Sequence, residues 1–336
     1  VAGGVFGDLL KTAVMTTAHF LTTAWQGNPW VIAASAATLI IYGVSQWGRL
    51  QLRAGWLLAG VLLFYLTLAS PIDTLADGYL FSAHMLQHLL LLLLVPALIL
   101  LGLPAVDGPD PGLRKVLMRL GMSALVNSTT GRLVQKRRQV AALPNGLRPE
   151  NRPAASFRPG TNGMPGRALA GWLLGVGGMW FWHAPALCDA AVTNLWVHRL
   201  QYVSLLGMGF AFWWPIIGPR LGQRLSALAG MVYLFTACLG CTILGIIITL
   251  APVEVCSIYL HPVDRLGILP LLQSQWGLTP AYDQQLGGLL MWVPACLIYF
   301  TGILGLFARW HREGGAPEHL ARATLTNAPM KKTHAG

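Results

Sequence analysis

The chain has 336 residues, 54% of them hydrophobic and only 10% charged, with a net charge of +11 and a mean hydropathy of +0.56. These values exclude an ordinary soluble domain and place the chain among polytopic membrane proteins, where every backbone amide in the bilayer is paired inside a helix. The positive residues collect on one side of that bilayer, so the charge reflects membrane orientation and nucleic-acid binding is excluded.

Residues 1–28, with His19 and Trp25, read as an outward-facing interfacial segment without a signal-peptide pattern. A first apolar span is predicted over 29–47, followed by Arg49 and Arg53, and a second over 54–70. The second stops at Ser70-Pro71, because proline disfavours helix in the residue before it. The loop 71–78 carries Asp73 and Asp77 and no base. The third span, 79–102, opens with His84, Met85, Gln87 and His88 and continues as a nearly unbroken apolar run.

From 103 to 167 the composition shifts to Pro, Gly, Asn, Ser and Arg, with eleven basic residues against three acidic ones. This predicts a basic cytoplasmic loop, irregular and flexible. Further spans are predicted over 168–182, ending in His183-Ala-Pro185, over 195–217 with His198 in the first turn, over 225–250, and over 286–308. A polar loop with His261, Asp264 and Asp283 precedes the last span, and 309–336 form a tail. The fold class is therefore all-α, a polytopic membrane bundle with spans 1–3 in 29–102 and spans 4–7 in 168–308.

Twenty of the 23 Lys and Arg fall in the loops after spans one, three and five and in the tail; only Lys11, Arg199 and Arg265 lie opposite. With the long loop set aside the ratio is still nine to three, which predicts an outward N-terminus and a cytoplasmic C-terminus. His84 and His88 then enter from the outer surface, His183 leaves toward it and His198 starts from it. At 1.5 Å per residue, His88 lies about 14 Å below the start of its helix, and Cys241 about as far below the outer end of the sixth span.

His84 and His88 share one helix face, about 6 Å apart. Ionisable residues inside a membrane are costly and face partners rather than lipid, so the pair points to a metal, haem, or interhelical hydrogen bonding. Neutral imidazoles bind copper, zinc or iron, and a nearby Met or Cys shifts the preference to Cu(I). Met85 points about 100° from His84 and need not share the site. Cys238 and Cys241 share a face mid-span; small-residue packing is the favoured reading and Cu(I) ligation the alternative. Asp283 suits a helix N-cap and also a carboxylate that orients a histidine, while Met291 lies within reach of a soft metal. The five cysteines form no regular disulfide framework. The clusters Trp180, Phe181, Trp182 and Phe212, Trp213, Trp214 read as an interfacial belt. No phosphate loop, serine triad or catalytic carboxylate pair is present, so no enzyme activity is expected.

Ser70-Pro71-Ile72-Asp73, Ser82 through His88 with the leucine run to Pro104, His183-Ala-Pro185, His198 with Phe212-Trp213-Trp214-Pro215, and Asp283 through Gly288 with Met291-Trp292 resemble the CtaG-type cytochrome c oxidase assembly factors, integral membrane proteins of bacteria. The resemblance implies a role in building haem-copper oxidases in the inner membrane, by handling copper. The implied partners are oxidase subunits and a periplasmic copper donor. Two features depart from the pattern: Tyr202 stands where a second histidine is expected one turn after His198, and the basic insertion 121–166 is atypical. The expected site is copper at His84, His88, His183 and His198, with Met85, Asp73, Asp283, Met291, Cys238 and Cys241 as support. Haem b on two of the histidines, or an accessory subunit with hydrogen-bonded histidines, are the alternatives. Transmembrane copper transport is disfavoured because no polar ligands continue into the inner leaflet.

Overall fold

The computed structural model describes residues 16–45, 53–104, 164–252 and 255–326. The expectations for residues 1–15 and 105–163, including nearly all of the basic insertion, lie outside them. The described residues form ten α-helices: α1 Thr17–Thr23, α2 Pro29–Ser45, α3 Ala54–Ala69, α4 Pro71–Ala76, α5 Phe81–Gly102, α6 over 164–182, α7 Pro185–Thr193, α8 Leu195–Ile217, α9 Ala227–Leu250 and α10 Pro280–Thr326. Within the described residues, each of the seven apolar segments read from the sequence forms a helix. Four helices are long and apolar enough to cross a membrane: α5, α8, α9 and the Pro280–Arg312 part of α10. With the shorter apolar α2 and α3, they make the chain a multi-pass membrane protein.

α5 is the axis of the bundle. Buried residues make up 72% of its apolar window, against 22–44% in the other three long helices, and it packs against α3, α8 and α10. Its first turn has no cap of its own, since Leu80 precedes it. Asp283 of α10 supplies one: its carboxylate accepts from the amides of Phe81 (2.6 Å) and Ser82 (3.1 Å) and from the Ser82 hydroxyl. Those amides have no partner inside their own helix, and bonds to a charged acceptor contribute about 1.5–3 kcal/mol each. Asp283 therefore caps a neighbouring helix rather than its own, and its bonds run to α5 backbone and Ser82 rather than to an imidazole.

Two π-helical turns flank the histidines, Leu90–Leu94 in α5 and Leu173–Gly177 in α6. Pro96 follows the first; it has no amide to return to the preceding turn. At that point α8 comes closest: a Cβ on Gly209 would overlap the Leu92 carbonyl oxygen and sit 2.6 Å from Pro96 Cγ. Only a residue without a side chain allows this crossing.

The structure corrects four details. Residues 71–76 are helical, with Pro71 at the first position and the Ser70 hydroxyl accepting from the Ile72 amide at 3.3 Å. The last span begins at Pro280, earlier than 286. Phe212 and Trp213 are core rather than belt: both are buried, and Phe212 packs edge-on to Tyr299 at 5.8 Å. Trp182 is buried as well, donating to Ser204 at 2.8 Å, while Trp180 and Phe181 remain exposed. Finally, Cys188 and Cys256 form a disulfide, with Cα atoms 5.9 Å apart, where no disulfide was expected. Spacing did not reveal it, because the bond joins α7 to a loop 68 residues away.

Candidate functional site

The four predicted histidines come together in the interior of the bundle, all buried. They form a row in the order His198, His84, His88, His183. Successive ring centroids lie 5.8, 4.5 and 5.0 Å apart. α5 provides the middle pair by its four-residue spacing, α8 the first ring, and the end of α6 the last. Among the described residues, no group of three or more His, Cys, Asp or Glu side chains is arranged to hold a metal ion. The imidazoles adjoin pairwise instead of converging on one point.

Their hydrogen bonding is largely unmet. Both ring nitrogens of His84, both of His88 and Nε2 of His198 are buried without a partner. Gln201, fully buried one turn after His198, lies against His88 and, among the described residues, is the one side chain offered to it as a hydrogen-bond partner. A buried polar group left unsatisfied costs about 1–3 kcal/mol, so this row is an expensive arrangement for a structural core.

His183 is different. Its Nδ1 lies 2.6 Å from the Met179 carbonyl oxygen, which can only accept, so Nδ1 carries the proton. The neutral ring then presents a bare lone pair at Nε2. That nitrogen lies 3.1 Å from the Met85 thioether sulfur, which has no hydrogen to give. Two soft-to-borderline donors thus face each other with no proton between them. A backbone carbonyl behind the imidazole is the usual support for a metal-binding histidine. Met85, which sequence spacing left beside the site, is drawn into it because His183 at the end of α6 meets both Met85 and His88, three residues apart on α5.

Asp73 does not touch a histidine. Its Oδ1 accepts from Gln87 Nε2 at 2.8 Å and lies 3.1 Å from the Tyr202 hydroxyl. That hydroxyl is also 2.9 Å from Gln87 Oε1, and Gln87 donates to the Thr67 carbonyl at 2.9 Å. Burial pushes the Asp73 carboxyl up to about 6, against the pull of its hydrogen bonds from Gln87 and Tyr202. A proton on Asp73 closes the ring: Asp73 donates to Tyr202, Tyr202 to Gln87 Oε1, and Gln87 back to Asp73. Tyr202 also packs on His198, with ring centroids 4.4 Å apart. The residue that replaces the expected histidine therefore anchors the carboxylate behind the row.

Tyr259 closes the same end of the bundle. Its hydroxyl donates to the Ala76 carbonyl at 2.7 Å, and its ring lies 6.1 Å from His84. The Cys188–Cys256 bond holds this loop, and Asp189 accepts from Ser257 at 2.8 Å. Met291 is buried in the core on α10. Cys241 contacts Met179 Sδ and Tyr299, whereas Cys238 pairs with Cys296 at 3.0 Å. Gln201, Tyr202 and Tyr259 were not legible as site residues; for Gln201 the available signal was its one-turn spacing from His198.

Residues 41–313 match the family model described as cytochrome c oxidase caa3 assembly factor. A Mycobacterium leprae protein described only as uncharacterized is 26% identical over 312 residues, and one from Mycobacterium bovis is 24% identical over 309. Each alignment covers 87% of this chain but 40% of the relative, so the chain spans less than half the length of these proteins. No solved structure matches.

Proposed function

The chain belongs to the cytochrome c oxidase caa3 assembly factor family, and from that premise we propose that it binds copper, as Cu(I), along its buried histidine row and hands it to a nascent oxidase subunit. The observation that carries this reading is the His183–Met85 pair, an unprotonated nitrogen and a thioether facing each other at 3.1 Å. Thioether with imidazole favours Cu(I) over hard cations. The unpartnered nitrogens of His84, His88 and His198 extend the site as alternative donors. Pairwise geometry suits cargo, since an ion held by two or three donors at a time exchanges faster than one in a closed four-ligand shell.

The row supports copper better than haem b, which would take two histidines from different helices: the inter-helix pairs His84–His198 and His88–His183, with ring centroids 5.8 and 5.0 Å apart, leave no slot for a macrocycle between them. A purely structural subunit would carry the cost of the unmet nitrogens without return. All seven apolar helices span the bacterial inner membrane in this proposal, with the histidine end outward. The Cys188–Cys256 disulfide supports that orientation, because such bonds persist in oxidising compartments. The outward end is then where a periplasmic copper donor would deliver.

The test is copper content and a visible spectrum of the purified full chain, for wild type, the His84→Ala/His88→Ala double variant and Met85→Leu, alongside oxidase maturation in cells. Copper retained by wild type, diminished in both variants and accompanied by poor oxidase maturation, is the expected result. Unchanged copper and unchanged oxidase in both variants would overturn the reading.

A further inference from the structure

Met179 has two faces. Its carbonyl holds His183 Nδ1, and its thioether sulfur lies 3.6 Å from the Cys241 thiol. Cys241 is fully buried, Met179 nearly so, and the Tyr299 hydroxyl lies 3.3 Å from the Cys241 sulfur. Cys241 sits nine residues before the end of α9 at Leu250, about 14 Å along the axis. We propose that Cys241 Sγ and Met179 Sδ form a second Cu(I) site, distinct from the histidine row and joined to it through Met179.

Charge selects this pair. One thiolate, one thioether and Cu(I) make a neutral complex, which a low-dielectric interior tolerates, whereas two thiolates would leave a net negative charge there. The Tyr299 hydroxyl, 3.3 Å from the Cys241 sulfur, can donate to that sulfur once it is a metal-bound thiolate. Metal–sulfur bonds of about 2.3 Å put two sulfurs of a three-coordinate site about 4 Å apart, so opening the observed gap by about 0.4 Å admits the ion. The third position stays open for exchange.

Transfer from the row conserves charge. The Cu(I)–N bond at His183 Nε2 and the Cu(I)–S bond at Met85 break, and Cu(I)–S bonds at Cys241 and Met179 form. The thiol proton goes to the imidazole nitrogen that the copper has left, and no oxidant or reductant is needed. Copper thereby moves from an imidazole–thioether site to a thiolate–thioether site. The second site itself does not depend on the first, but its place in a relay rests on the function proposed above.

The experiment titrates the full chain in detergent with Cu(I) supplied from a bicinchoninate buffer, and counts equivalents bound with copper X-ray absorption as a check on sulfur ligation. Variants are Cys241→Ser, Met179→Leu and Tyr299→Phe, each in wild type and in His84→Ala/His88→Ala, with Cys238→Ser/Cys296→Ser as control. Met179→Leu conserves volume, so it keeps the test meaningful if Cys241→Ser fails to fold. Loss of one equivalent in Cys241→Ser and in Met179→Leu in both backgrounds is expected, with Tyr299→Phe weakening that equivalent about 10- to 100-fold. The control should keep it. Full retention in Cys241→Ser and Met179→Leu, or loss in the control instead, would overturn the second site. Loss in these variants with no effect of either His84→Ala/His88→Ala or Met85→Leu would keep the second site and refute the histidine reading.

Discussion

Asp73→Asn isolates one buried carboxyl. Asp73 is 7% exposed, and its carboxyl titrates near 6 rather than at 3.8. The folded state therefore holds the proton more tightly than the unfolded state. Its stabilising contribution is full below about pH 3.8 and is lost as pH rises through about 6. A shift of about 2 units corresponds to about 3 kcal/mol. Asparagine keeps an acceptor for Gln87 at Oδ1, leaves the Tyr202 hydroxyl donating to Gln87 Oε1, and never ionises. The variant should match wild type near pH 4 and exceed it progressively up to pH 7.5, by about 3 kcal/mol or on the order of 5 °C in Tm. The assay is thermal unfolding of both proteins in the same detergent across that range. Taking the difference between them cancels the titration of the histidines. Parallel curves, with no divergence between pH 4 and 7.5, would refute the buried-carboxyl account.

Asp283→Ala leaves the Phe81 and Ser82 amides without an acceptor and should destabilise the protein by about 3–6 kcal/mol. Asp283→Asn should recover part of this, which thermal unfolding will show. Gly209→Val drives a side chain into the Leu92 carbonyl and should cost at least about 1–3 kcal/mol, read as lost monodisperse protein on size-exclusion chromatography. Cys188 and Cys256 are both buried, so alkylation is read on the denatured chain: the two should resist it until a reductant is added and should then both label, with a mass shift of two adducts. Labelling without reductant would count against the disulfide.

Hydrophobic run length and helical spacing were enough to place a helix in each of the seven segments, four of them long and apolar enough to cross a membrane, and to pair His84 with His88, because both are local properties of one segment. Convergence of His183 and His198 on that pair followed from sidedness, which charge bias carries along the chain. Local pattern was silent on what reaches across helices. Asp283 looks like a cap on its own helix, yet its carboxylate spends its bonds on α5. Met85 points about 100° from His84 around α5, and it joins the site only because His183 of α6 meets it together with His88. Tyr202 looks like a missing ligand until Gln87 and Asp73 are seen beside it. Phe212 and Trp213 resemble headgroup anchors, and the approach of α9 and α10 turns them into core. Cys188 and Cys256 are unremarkable in sequence and meet only when α7 and the 255–259 loop close the same end. The sequence alone determined that this is a membrane bundle with histidines on one side of it. Which donors face each other was decided by helix-to-helix packing, since contacts a few ångströms long depend on crossing points that no single helix encodes.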